Sequence, residues 1–155
     1  MHQRQRLQQQ HLNDLVIYRR NHKERRNRCI HYIMIPLECW SLMVPLSILL
    51  GDLATLVVGS FLALLSILVA TTSTSGLLAG SFHLIASFTA NAFVARCCHS
   101  NFTALGFSTA CWTLAWATQV GIGHYVMEKN QPNMANKREV SYLSMALSVL
   151  IAWTS

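Results

Sequence analysis

The chain has 155 residues, enough for one domain, and it is 52% hydrophobic, only 12% charged, with a formal net charge of +6. Eight of its twelve Lys and Arg precede residue 30, and Arg96 is the single basic residue between Cys29 and Phe102. A basic head on an apolar body is the pattern of a polytopic membrane protein, in which such charges set orientation; it is not a basic scaffold that reads bases, so a soluble enzyme is excluded and no nucleic-acid partner is expected. The five cysteines (29, 39, 97, 98 and 111) contain no CxxC pair, so neither a zinc knuckle nor a redox motif is supported, and buried free thiols are expected.

Residues 1–13 are Gln- and Arg-rich without an apolar stretch, which predicts a disordered tail with His2 and His11 in solvent and excludes a secretory signal. From Asp14 the spacing of Leu15, Tyr18 and His22 fits one helical face, with Arg19, Arg20, Lys23, Arg25 and Arg26 on the others. Such a basic helix is expected at the anionic headgroup surface of a bilayer. The first apolar segment, about 33–50, contains Pro36, Glu38 and Pro45, so a kinked or broken helix is expected. Glu38 is either an intramembrane acid, which marks a functional candidate, or an interfacial one.

Residues 53–71 form the cleanest span, with Gly59, Ser60, Ala63 and Ser66 as a small-residue packing face. A third span covers 77–95, where His83 is expected as a hydrogen-bonded core residue, and a fourth covers 102–123. Residues 140–153 are apolar but short for a crossing, which takes about 20 residues; this segment is re-entrant, interfacial or packed within protein. The fold expected is an all-α polytopic membrane helix bundle of about four transmembrane helices plus this short C-terminal apolar segment.

With four crossings and a cytosolic N-terminus, one face holds the eight early basic residues plus Lys129, Lys137 and Arg138, while the other holds Arg96 alone. That bias sets the orientation and brings His22, His31 and His124 to the same membrane face. His124 and Glu128 are at i and i+4, so on a helix they project together. They can share a metal, the carboxylate can orient the imidazole, or both can end the helix in solvent. Asn27 and His31 are likewise i,i+4, as are Tyr18 and His22. His22 and His31, nine residues apart, lie about half a turn out of phase on an unbroken helix. They meet only if the chain breaks between them, and the break is expected near Glu24–Asn27.

Two motifs emerge: Tyr18-x3-His22-x4-Asn27-x3-His31 followed by Pro36, and Trp116-x2-Gln119 followed by Gly123-His124, Glu128 and Pro132. Together they resemble a family of small membrane proteins whose fungal member is a 2-hydroxy-fatty-acid dioxygenase of the endoplasmic reticulum. The chain departs from the family pattern in three places. The link before Pro36 lacks the usual Gly, the Gln119–Gly123 interval is one residue longer than common, and the tail after Pro132 is short. The resemblance implies Fe(II)-dependent α-oxidation that shortens a long-chain 2-hydroxy fatty acid by one carbon with O2, in the endoplasmic reticulum membrane. It implies His22, His31 and His124 as metal ligands, and Glu128 as a fourth ligand or an orienting group. Asn27 and Gln119 would be hydrogen-bonding orienters, and Arg19, Arg20 and Lys129, with Arg25 and Arg26, would attract the substrate carboxylate. The alternatives are a non-catalytic membrane scaffold of the same fold and a channel or transporter, which the absence of an internal repeat disfavours.

Overall fold

The computed structural model describes residues 2–70, 72–97, 99–129 and 148–154. Every regular element in these residues is helical: α1 (His2–Asn21), α2 (Arg25–Leu50), α3 (Asp52–Val69), α4 (Ser73–Ala92), a π-turn at Phe93–Cys97, α5 (Asn101–Ala117), a π-helix at Thr118–Glu128, and α6 (Ser148–Thr154). Residues 130–147, which include Pro132, Lys137 and Arg138, lie outside the described set, as does Cys98.

The basic tail is helical from His2, not disordered. Gln and Arg are good helix formers, and tertiary contact fixes the element: Gln8 Nε2 donates to the Ala70 carbonyl at 3.5 Å. His11, Asp14 and Leu15 are buried, so the expectation of a solvated His11 is corrected. The helix breaks at His22–Glu24, one or two residues before the expected position, and α2 restarts from an extended Glu24.

Helix α2 runs unbroken through both Pro36 and Pro45. Pro36 has no N–H to give the carbonyl of Tyr32, four residues back. The Trp153 indole donates to that carbonyl at 3.2 Å instead. An orphan carbonyl in a bilayer is costly, so α6 closes a gap that the proline opens. Helix α6 is packed within protein, with Val149, Leu150 and Ala152 fully buried against Ile35, Val69 and Ala79.

Helices α3 and α4 form a tight antiparallel pair through small residues: Gly59 lies against Ser87 and Gly80 against the Ala63 carbonyl. Large apolar side chains point outward, including Leu53, Phe61, Leu64, Phe88 and Phe102. This inverted distribution is what a bilayer solvates. Three helical stretches, Arg25–Leu50, Asp52–Val69 and Ser73–Cys97, are long and apolar enough to cross a membrane. The chain is therefore an all-α integral membrane bundle. The segment expected as a fourth span is the 17-residue α5 continued by the π-helix.

Two expectations need correcting. His83 is buried, but neither ring nitrogen has a hydrogen-bond partner. The four described cysteines are free thiols, but only Cys39, half-buried, packs against the core, with its Sγ 3.6 Å from Ser148 Oγ; Cys111 is half-buried, and Cys29 and Cys97 are exposed.

The α3–α4 contact gives a direct test. A Cβ at Gly59 would overlap Ser87 Oγ and come within 2.8 Å of Ser87 Cβ, whereas one at Gly106 meets nothing within 4 Å. Gly59→Ala should destabilise the detergent-solubilised protein by about 1–3 kcal/mol through overpacking. Gly106→Ala should leave stability unchanged or raised, as alanine usually does within a helix. Thermal unfolding of the two variants side by side checks the opposite signs.

Candidate metal centre

The break at His22–Glu24 turns the end of α1 back on the start of α2. His22 then faces His31 although nine residues separate them. The π-helix brings His124 to the same point from the far end of the chain. All three imidazoles are buried. One potential ligand atom from each lies within 4.8 Å of those of the other two. Ring centroids are 4.4 Å apart for His22–His31, 4.8 Å for His22–His124 and 5.3 Å for His31–His124, all edge-to-face. Tyr18 stacks on His22 with centroids 3.9 Å apart and fixes the plane of that ring.

Backbone carbonyls decide the tautomers. His22 Nδ1 lies 2.8 Å from the Tyr18 carbonyl, and His31 Nδ1 lies 3.0 Å from the Asn27 carbonyl. A carbonyl only accepts, so each Nδ1 carries the hydrogen and each Nε2 presents a lone pair. Those two Nε2 atoms are 3.1 Å apart. Burial, with His31 close by, pushes the His22 imidazole down to about 3, so near neutral pH no second proton bridges the pair. Two lone pairs held face to face repel each other, and the arrangement suits a shared cation. Two nitrogens bound at right angles to one metal, each at about 2.1 Å, are separated by about 3 Å, as here. His124 adds a buried Nδ1 without a hydrogen-bond partner. Three neutral imidazoles with no carboxylate among them suit a divalent transition metal and leave further coordination positions open.

Glu128 stands outside this group. Its Oε1 accepts from the Glu24 backbone N–H at 2.8 Å and from Asn27 Nδ2 at 3.1 Å. The carboxylate thereby ties the end of the π-helix to the first turn of α2, where its charge also complements the helix dipole. Asn27 is fully buried. Gly123 packs directly against Asn27: a Cβ there would overlap Asn27 Oδ1 and come within 3.4 Å of His31 Cε1. Deeper in the bundle Gln119 Nε2 donates to Glu38 Oε2 at 3.0 Å. Glu38, half-buried in α2, is thus the partner of the second motif's glutamine.

The π-helix reconciles these contacts. It closes i→i+5 hydrogen bonds and so accommodates an extra residue per turn. The long Gln119–Gly123 interval is absorbed there, and Gln119 and His124 both remain on the buried face. Lys129 ends it with φ 53°, its N–H returning to the His124 carbonyl.

Among the expected carboxylate-binding residues, Arg19, Arg20 and Lys129 are exposed at the same end of the bundle, not inside the histidine cluster. Arg28, absent from the sequence expectations, reaches the His22 carbonyl at 3.5 Å and holds the turn. Its signal was lost among seven other early basic residues.

Two outcomes follow. Gly123→Ala should weaken metal binding at least about tenfold by displacing Asn27 and His31, the usual size of an effect on groups that orient ligands; metal titration of the purified variant checks this. The folded-state pKa of His22 lies below its unfolded value, so between about 6.5 and 3 the unfolded chain binds the extra proton. Stability of the metal-free protein should therefore fall as pH drops through that window. The slope should be shallower in His22→Ala, as read from denaturation midpoints at several pH values.

No curated protein and no solved structure matches the chain. A family described as 2-hydroxy-palmitic acid dioxygenase Mpo1-like matches residues 8–154, which covers both histidine motifs and the buried C-terminal helix. This chain belongs to the 2-hydroxy-palmitic acid dioxygenase Mpo1-like family.

Proposed function

We propose that the protein is a membrane-embedded Fe(II)-dependent dioxygenase that shortens long-chain 2-hydroxy fatty acids by one carbon. The observation that carries the reading is the pair of Nε2 lone pairs 3.1 Å apart, each committed by a backbone carbonyl, with His124 closing the cluster. Family membership supplies the substrate class.

His22, His31 and His124 would hold the iron, which supplies O2 activation and Lewis-acid binding of the 2-hydroxy carboxylate. The carbonyls of Tyr18 and Asn27 keep both Nδ1 hydrogens in place, so the imidazoles bind as neutral donors. Glu128 keeps its charge outside the ligand set and holds the two motifs together. Arg19, Arg20 and Lys129, at the same end of the bundle, attract the acid, while the acyl chain follows the apolar helices towards the bilayer. The reaction balances with O2 as sole oxidant when the lost carbon leaves as carbon dioxide: the 2-hydroxy acid and O2 give the shorter acid, carbon dioxide and water. A cytosolic N-terminus accords with the basic residues that precede the first span, and the endoplasmic reticulum location rests on the family resemblance alone.

The test is metal content and turnover of the detergent-purified protein, wild type beside His124→Ala. The expected result is about one iron per chain and coupled loss of O2 and 2-hydroxypalmitate, with iron binding weakened more than about tenfold in the variant, since a ligand is lost rather than an orienting group. Iron equally retained by the variant would overturn the ligand assignment. Stoichiometric iron without O2 consumption would leave a non-catalytic protein of the same fold.

A further inference from the structure

Glu38 lies midway along the membrane-spanning α2, and its carboxyl is held by an uncharged amide, Gln119 Nε2 at 3.0 Å. An acid within a span is costly and calls for a role. Its register supplies one. Asn27, His31 and Glu38 stand at i, i+4 and i+11 of α2, and at about 3.6 residues per turn they share one face. Opposite them, in antiparallel order, stand Glu128, His124 and Gln119 of the π-helix. Three rungs result: Glu128 Oε1 accepts from Asn27 Nδ2 at 3.1 Å, the His124 and His31 ring centroids lie 5.3 Å apart, and Gln119 donates to Glu38.

An α-helix cannot supply that row. Gln119 and Glu128 are nine residues apart, about half a turn out of phase in an α-helix, and Gln119 and His124 would diverge by about 140°. Closing i→i+5 bonds over Thr118–Glu128 widens the turn and returns all three to the face that meets α2. Such helices mostly occur as single-turn bulges, so an 11-residue one needs outside contacts to hold it. Gln119 sits where the pattern changes. Its Nε2 also reaches the Ala115 carbonyl at 3.3 Å, the carbonyl that an α-helix would serve with the Gln119 N–H. The amide thus gives one hydrogen to the junction and the other to Glu38.

We infer that Glu38 is a positioning residue of the metal centre: through Gln119 it holds residues 118–128 in the π form and so keeps His124 facing His22 and His31. This rests on the metal centre proposed above. Glu128 pins one end of the π-helix to α2 and Glu38 pins the other, and both clamps close together only while the helix is wide. Without Glu38 the segment relaxes towards an α-helix, and the face that carries Glu128 no longer carries Gln119. His124 then leaves the cluster while His22 and His31, held by α1 and α2, stay.

The experiment is anaerobic Fe(II) titration and iron-edge X-ray absorption of the detergent-purified full chain, with thermal unfolding of the metal-free forms alongside. In Glu38→Leu, which places an apolar side chain in a bilayer-spanning helix, iron affinity should fall at least about tenfold. The imidazole scattering should drop from three rings to two, with the unfolding midpoint kept. Glu38→Gln still offers Gln119 an acceptor oxygen and should retain all three rings. Gln119→Leu should match Glu38→Leu, and the double variant should be no worse than either, because both act through one contact. Should Glu38→Leu fail to fold, Gln119→Leu carries the same expectation. Three imidazoles and unchanged affinity in the leucine variants would overturn this inference alone, as would a loss of iron that merely parallels a loss of thermal stability. Wild type that holds no iron would refute the proposed function, and this inference with it.

Discussion

Tyr18 and Asn27 each use a backbone carbonyl to claim the Nδ1 hydrogen of a histidine four residues further on, at 2.8 and 3.0 Å. The consequence is that His22 and His31 can meet only through their Nε2 lone pairs, which stand 3.1 Å apart in a buried pocket. Such a contact repels unless a cation joins it, and protonation is opposed by burial. Much of the surrounding structure holds this unfavourable pair in place, which is the arrangement the proposed metal site needs.

Three devices do so. The Glu128 carboxylate joins the end of the π-helix to the Glu24 N–H and to Asn27, so the two motifs cannot drift apart. Gly123 lets the Asn27 amide pack against its backbone at a place that any side chain would fill. Tyr18 stacks on His22 and stops its ring from turning away. At the next level, α6 supports α2 by giving the Tyr32 carbonyl a Trp153 donor where Pro36 has none, and Gln119 reaches Glu38 across the α2 interface. The small-residue seam between α3 and α4 then provides the rigid wall against which α2 and α6 pack.

Several of these features were legible in the sequence. The apolar spans follow from composition, and counting basic residues and crossings places His22, His31 and His124 on one membrane face, where the structure brings them together. The chain break was required by the nine-residue interval between two histidines, and the structure has it at His22–Glu24. Other features were not legible, for identifiable reasons. Helix α1 looks disordered because its residues are polar; its order comes from contacts with α3 and α6 that no local pattern encodes. The π-helix leaves only an interval one residue too long. Glu128, at helical spacing from His124, looks like a ligand, but its strongest partners belong to a segment a hundred residues earlier. Pro36 signals a break, and what prevents one is a tryptophan near the other end of the chain.

The central claim is that the three imidazoles share one metal ion. X-ray absorption at the iron edge of the Fe(II)-loaded, detergent-purified protein tests it most directly, because imidazole rings leave a characteristic outer-shell scattering pattern. The expected spectrum shows scattering from three imidazoles, falling to two in any single His→Ala variant that still binds iron. A spectrum fitted by oxygen ligands alone, or one unchanged by loss of His22, His31 or His124, would contradict it.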